Sequence, residues 1–353
     1  MFSSLPPELV RDIIESTVPH TYHSTTYDAR QATLCTLSLV SRQFRAIAQP
    51  LLFEIVDLKS EAQLKLLAEA KDKTWRFKEL IVSGQVPSEA VQALVGRQRG
   101  LKTCNIERFS NCKEPSIDLS DLVQYPKLHN LQIGGRYNCS IGGPILSLRS
   151  LTIDYQCQGS PVVNLLNPKV LPSLRALGLN WFEDPEELRQ LAKTNLSQLL
   201  PQLEAIVVHN EFYLLAMTGL LSGYAPRILA DVYYDSNFAL DSTQLLASVH
   251  HLRILVSRRN WSFSASRQLS ESIAAHRESE TLSLKSLYLD LSLQPSRVET
   301  PDLCFSTLGV ERVMGECKRS GIELVFEAQP ENDEDSYISH EFWTRQRRRR
   351  EKE

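Results

Sequence analysis

Residues 128–133 (LHNLQI) and 148–153 (LRSLTI) share an apolar pattern that decides the fold class. Apolar residues occupy the first, fourth and sixth positions of each stretch. The fourth and sixth lie on one face of a strand, because side chains alternate along an extended chain. Each recurrence of the pattern predicts a short strand with one buried face. The middle, fourth-position residues of the recurrences are Leu80, Cys104, Leu131, Leu151, Leu177, Ile206, Val232, Leu255 and Leu287.

The spacing of these strands is typical of a repeat protein. Successive middle residues are 20 to 32 positions apart, with an opening unit around Val56 and a closing strand at 322–326. Stacked strand–helix units bury together the face that no single unit can bury alone. A doubly wound α/β sheet is the alternative. Connecting segments such as 134–146 and 154–170 are rich in Gly, Pro and Ser, however, which favours a solenoid.

Two helical signals precede the first strand. Residues 5–14 (LPPELVRDII) place Leu9, Ile13 and Ile14 on one helical face, and Pro7 suits a first turn because its missing N–H has no partner there. Residues 33–53 (TLCTLSLVSRQFRAIAQPLLF) carry a second apolar stripe at helical spacing. Helices in about fifty residues cannot bury a core of their own. Their stripes therefore need either the rest of the chain or another protein.

These two signals together resemble an F-box of the kind common in fungal proteins, over residues 4–53. The departures are Ser41 and Phe44, where the family often has Cys and Trp, and a longer connection at 19–31. Residues 51–330 resemble the degenerate leucine-rich repeats that often follow such a domain, since that repeat has a period of about 20–29 residues. The alternative is that the helices only cap the repeat domain.

The F-box resemblance implies a non-enzymatic substrate receptor of a Skp–cullin–F-box ubiquitin ligase. In that case the helices bind a Skp-family adaptor, which contacts a cullin scaffold, and the repeats bind an unknown protein target. The adaptor-docking positions implied by the resemblance are Leu5, Pro6, Leu9, Ile13, Leu37, Val40, Ser41 and Phe44.

Target binding is expected along the row of residues that follows the predicted strands. Large aromatic residues and Arg there are the types enriched in interaction hot spots, although the aromatics would also serve to fill the loop-side core. The candidates are Asp154, Asn180, Trp181, His209, Asp235, Arg258, Trp261 and Asp290.

Composition excludes several other classes. The net charge of −3 predicts no general attraction to nucleic acid or anionic membranes. We expect no signal peptide and no membrane span. The seven cysteines form no CxxC pair, which indicates reduced thiols in the cytoplasm or nucleus.

No catalytic motif is present, so we expect no enzyme, cofactor or metal. His20 and His23 lack further ligands nearby in sequence, and the adjacent His250 and His251 would point to opposite faces of a strand.

The sequence therefore predicts an α/β protein: a helical F-box at 1–50, a leucine-rich-repeat-like solenoid of parallel strands alternating with helices and loops at 51–330, and a charged, disordered tail at 331–353. The tail contains Arg347–Arg350. A non-ligase scaffold, and a nuclear nucleic-acid-associated protein that uses this tail, are the alternative functions.

Overall fold

The computed structural model describes residues 5–18, 24–69, 77–85, 94, 100–106, 117–118, 125–133, 137–138, 143–153, 165–179, 196–208, 229–234, 243–257, 263–292 and 309–328. The chain folds as two compact units, residues 1–165 and 166–353. The predicted helical segment and the first repeats belong to the same unit, and the division lies within the predicted repeat region. The predicted tail at 331–353 lies outside the described residues.

The first unit begins with helices and continues with parallel strands. Its helices are α1 (Pro7–Thr17), α2 (Ser24–Val40), α3 (Arg42–Leu52) and α4 (Glu61–Glu69). Its strands are β1 (Ile55–Ser60), β2 (Glu79–Gln85), β3 (Thr103–Ile106), β4 (Ile117–Asp118), β5 (Asn130–Ile133), β6 (Tyr137–Asn138) and β7 (Ser150–Ile153). In the described part, β4 pairs with β6, and the other strands run parallel in the order β1-β2-β3-β5-β7.

The predicted apolar pattern forms the core of this strand row. The ladder places Val56, Leu80, Cys104, Leu131 and Leu151 side by side, and each is at most 8% exposed. The residues two positions further along each strand are also buried. The strand order follows the chain without the reversal of a doubly wound sheet, so the solenoid-like α/β arrangement fits and the alternative does not.

Each repeat begins with the same backbone contact to the one before. In six of the described repeats, the carbonyl two residues before the middle position accepts two consecutive N–H groups from the next repeat, whereas the Lys285 carbonyl accepts one, from Glu323. The Glu54 carbonyl accepts from Lys78 and Glu79 at 2.8 and 3.1 Å, and the Lys78 carbonyl accepts from Lys102 and Thr103 at 2.7 and 3.1 Å. Because the contact recurs at the same position, the units are structural repeats as well as sequence repeats.

The second unit has the same plan with longer helical connections. Its strands are β8 (Ala176–Leu179), β9 (Ala205–Val208), β10 (Leu229–Tyr234), β11 (His251–Ser257), β12 (Ser286–Ser292) and β13 (Glu323–Ala328), parallel and in chain order. Its helices are α5 (Ser197–Leu199), extended by a 3-10 turn at Leu200–Gln202, α6 (Thr243–Ser248), α7 (Phe263–Glu278) and α8 (Val310–Ser320).

The register corrects the predicted frame of two strands. Ile206 of β9 pairs with Ala230 of β10, and Ala230 pairs with Leu252 of β11. The middle position of β10 is therefore Ala230 rather than Val232, and that of β11 is Leu252 rather than Leu255. The sequence 252–256 (LRILV) contains apolar residues in both frames, and only the hydrogen-bonded neighbours select one.

Local signals set the ends of two helices. The Ser60 hydroxyl accepts from the Gln63 N–H at 3.4 Å, and the Gln63 side chain accepts from the Lys59 N–H at 2.7 Å, so Ser60 and Gln63 begin α4 in the manner of a capping box. Gly321 has φ +68° after α8, and the N–H of Ile322 donates to the Cys317 carbonyl at 2.9 Å. This is a Schellman ending, which a glycine directly after a helix favours.

Candidate docking surfaces

The three N-terminal helices share a small core of their own, which corrects the expectation that helices in about fifty residues cannot bury one. Its buried members are Val10, Ile14, Val18, Leu34, Phe44 and Ala48, and partly buried Leu5, Leu37, Ile47, Leu51 and Leu52 pack against them. Every core side chain comes from α1, α2, α3 or an adjoining residue. This packing fixes which apolar residues remain outside.

Among the described residues of α1, α2 and α3, four large apolar side chains remain outside this core. On α1, Leu9 is 49% exposed and Ile13, one turn further on, is 41% exposed. At the end of α2, Leu39 is 76% and Val40 is 51% exposed. We call these four residues the apolar patch.

Two hydrogen bonds bring the two halves of the apolar patch to the same end of the helices. The Gln43 side chain donates to the Leu5 carbonyl at 2.7 Å, which ties the start of α3 to the start of α1. The Arg45 guanidinium donates to the Ser38 carbonyl at 3.1 Å at the end of α2. A cation there is favourable because helix C-termini carry a partial negative charge. The residues just before α1 and the last turn of α2, which ends at Val40, are therefore both hydrogen-bonded to the first turn of α3.

The predicted adaptor-docking residues divide between surface and core. Leu9, Ile13, Val40 and Pro6 are exposed, whereas Leu5 and Leu37 are half-buried against the helical core. Ser41 is the N-cap of α3, and its hydroxyl accepts from the Phe44 N–H at 3.2 Å.

Phe44 corrects the expectation of a surface contact, since its side chain is 6% exposed and lies in the helical core. Sequence reasoning missed Leu39. The feature that would have identified Leu39 is the continuation of α2 to Val40, because it leaves two successive apolar residues exposed on the helix surface.

The strand face opposite the core changes character along the first unit. Its positions on β1 and β2 are buried, as Ile55, Asp57 and Ile81 show. On β3 and β5 the corresponding Asn105 and Gln132 are partly exposed, polar and uncharged. This face is therefore more accessible on β3 and β5 than on β1 and β2, and on β7 it is again buried at Thr152, which is 5% exposed.

Two amide groups on β3 and β5 carry unused hydrogen-bonding capacity. The Asn130 side-chain N–H donates to the Thr103 hydroxyl at 3.3 Å. Within the described residues, the side-chain carbonyls of Asn105 and Asn130 are buried and have no hydrogen-bond partner. We call Thr103, Asn105, Asn130 and Gln132 the polar strand face.

The predicted target-binding row is mostly outside the described residues, which do not include Asp154, Asn180, Trp181, His209, Asp235, Arg258 and Trp261. Asp290 corrects the expected placement, because it lies within β12 rather than after it. Strand β12 is longer than the apolar pattern because it pairs along its length with β11 and β13.

Comparisons with known proteins show no family for this chain. No protein-family model matches the chain, and no curated protein sequence matches it. The chain is similar to a protein of Bacteroides fragilis with a crystal structure, at 14% identity and a TM-score of 0.34, over 89% of this chain and 86% of that one. A likeness this distant carries no argument.

Among the described helices, none is both long and apolar enough to cross a membrane. In the same part of the chain, no three His, Cys, Asp or Glu residues are grouped as metal ligands. His20 and His23 lie outside it.

Proposed function

We propose that the protein is the substrate-recognition subunit of a Skp–cullin–F-box ubiquitin ligase. The observation that carries the proposal is the apolar patch. Large apolar side chains left outside a filled core are suited to contact another protein. The helices also coincide with the segment whose sequence resembles an F-box.

The patch has charged neighbours that would orient a partner. Glu8, Arg11 and Asp12 are exposed on α1, and Arg42 and Arg45 are exposed on α3. Charges at the rim of an interface contribute more to orientation and association rate than to affinity. The apolar residues would therefore supply most of the adaptor-binding energy.

For the target, the proposal assigns binding to the solenoid-like part of the chain. The polar strand face supports this, because its four side chains are polar, uncharged and partly exposed. The protein would supply proximity, raising the effective concentration of a target near a ubiquitin-charged enzyme on the scaffold. This role needs no nucleophile of its own.

The test is adaptor binding by two patch variants, Leu9→Ser and Ile13→Ser. Each removes an exposed apolar anchor, and such anchors contribute about 2 kcal/mol, so the Kd for the Skp-family adaptor should rise roughly tenfold or more. Isothermal titration calorimetry with the full chain measures this change.

Leu66→Ser is the matched control, since Leu66 lies on α4 and is 68% exposed. It should bind the adaptor like the wild type. Equal binding by the patch variants and the control would refute the assignment. Adaptor binding without co-purification of a cullin would instead favour the non-ligase scaffold.

A further inference from the structure

The residues that directly precede four neighbouring strands of the first unit form a row of basic side chains. They are Lys78 before β2, Lys102 before β3, His129 before β5 and Arg149 before β7. The Lys102 N–H donates to the Lys78 carbonyl at 2.7 Å. The His129 N–H donates to the Lys102 carbonyl, and the Arg149 N–H donates to the His129 carbonyl, both at 2.8 Å. Since neighbouring strands lie about 4.8 Å apart, these backbone contacts hold the row over about 14 Å.

The positive charges at β3, β5 and β7 have no acidic partner within the described residues. Lys102, Arg149 and Lys127, which belongs to the turn before β5, are exposed, and their side chains make no hydrogen bond or ion pair in that part of the chain. His129 lies between them, and its imidazole Nδ1 is 3.2 Å from the Ser147 carbonyl. We call Lys102, Lys127 and Arg149 the basic edge.

The charge at the β1 end of the row is balanced. Lys78 pairs with Glu54, which lies just before β1. A partner's carboxylate would therefore meet a negative neighbour at β1 and unpaired cations only from β3 onward. The surface available to an acidic ligand extends from β3 to β7.

The surroundings of the basic edge favour a peptide ligand over a nucleic acid. Surfaces that bind single-stranded nucleic acid combine positive charge with aromatic side chains on which the bases stack. The aromatic residues beside this row, Phe77 and Tyr125, are 1% and 2% exposed, so neither can stack on a base. Carboxylates need no such platform, because Lys and Arg bind them through charge-assisted hydrogen bonds.

We propose that the basic edge binds an extended, acidic segment of a partner protein through Lys102, Lys127 and Arg149. Alternate residues of an extended segment lie about 7 Å apart, and Lys102 and Arg149 lie two strands or about 10 Å apart, a difference that their long side chains can span. The net charge of −3 does not oppose this binding, because exposed charges more than about 8 Å apart are largely screened at physiological ionic strength. The basic edge shares no residue with the apolar patch or the polar strand face, so the inference does not depend on adaptor binding.

Fluorescence anisotropy of a labelled peptide with the full chain tests the basic edge. The peptide alternates Glu and Ser, and a peptide that alternates Gln and Ser is its uncharged counterpart, which should not bind. The double variant Lys102→Gln/Arg149→Gln should raise the Kd for the Glu peptide roughly threefold to tenfold, since each exposed ion pair contributes little. Wild-type binding should weaken as NaCl is added, because salt screens exposed charges.

The matched control is Lys169→Gln/Arg267→Gln, which removes the same two charges from exposed positions of the second unit. It should bind the Glu peptide like the wild type, and circular dichroism should show both double variants folded. Equal Kd values for the two double variants, or no binding of the Glu peptide by the wild type, would overturn the proposal. Tighter binding of an oligouridylate of equal charge would also overturn it, in favour of a nucleic-acid partner.

Discussion

Apolar residues of the N-terminal helices have different roles: Phe44 is part of the helical core, whereas Leu9 lies on the surface. Substitutions should distinguish the two roles. Phe44→Ala leaves a cavity in the helical core and should lower the free energy of unfolding by about 3–5 kcal/mol. Leu9→Ser changes an exposed side chain and should change this free energy by no more than about 0.5 kcal/mol. Urea denaturation followed by circular dichroism measures both.

The difference in stability between these two variants also determines how their adaptor-binding data are interpreted. Loss of adaptor binding in Phe44→Ala would reflect unfolding as much as a lost contact, whereas Leu9→Ser reports on the surface alone. Comparable destabilisation by the two substitutions would contradict the core assigned to α1, α2 and α3.

The buried carboxylate of Glu316 joins α8 to α7 in the second unit. Glu316 on α8 is 4% exposed, and its carboxylate accepts from Arg277 on α7 and from the Arg319 Nε at 2.9 Å. A buried carboxylate without such partners would be strongly unfavourable. The periodicity of apolar residues along α8 would bury Met314 rather than Glu316. Met314 is 45% exposed.

At the scale of elements, two glycines of α8 offer opposite tests. Gly321 has φ +68° and a Cβ added there would meet nothing within 4 Å, so Gly321→Ala should cost about 1–2 kcal/mol through the backbone alone. Gly315 lies inside the helix, where a Cβ would meet the Arg319 guanidinium at an ordinary 3.8 Å. Gly315→Ala should therefore stabilise the protein by up to about 1 kcal/mol.

Thermal denaturation of both variants measures these opposite shifts. Two shifts of the same sign would contradict the left-handed ending of α8 or the helical conformation at Gly315.

For the whole molecule, buried thiols offer a probe of each unit. Burial raises the pKa of Cys104 in the first unit and of Cys317 in the second to about 12, with Glu316 adding to the rise at Cys317. Thiolate is the reactive form, so both should react with iodoacetamide only after unfolding. Cys35 is exposed and should react in the native state, which makes it the internal control.

Pulse labelling at increasing urea, with peptide mapping by mass spectrometry, then follows the two units separately. Rapid native labelling of Cys104 would contradict the core of the first strand row, and the same result at Cys317 would contradict the packing of α8.

Sequence predictability differed between strands for a physical reason. Where one apolar frame exists, as at Leu131 and Ile133, the pattern alone located the strand and its buried face. Where apolar residues fill both frames, as in 252–256, the ladder with neighbouring strands had to select one. The adaptor-docking candidates shared one apolar pattern, which did not show that Phe44 is buried while Leu9 is exposed.

The sequence by itself determined the repeated parallel strands, the capping box of α4 and the glycine ending of α8, because each depends on residues close together in the chain. Only the tertiary structure decided the frames of β10 and β11, the apolar residues left outside the helical core, and the ion pair between Asp28 and Lys59. These depend on which distant segments pack together, and the apolar periodicity of one segment does not predict the segment against which it packs.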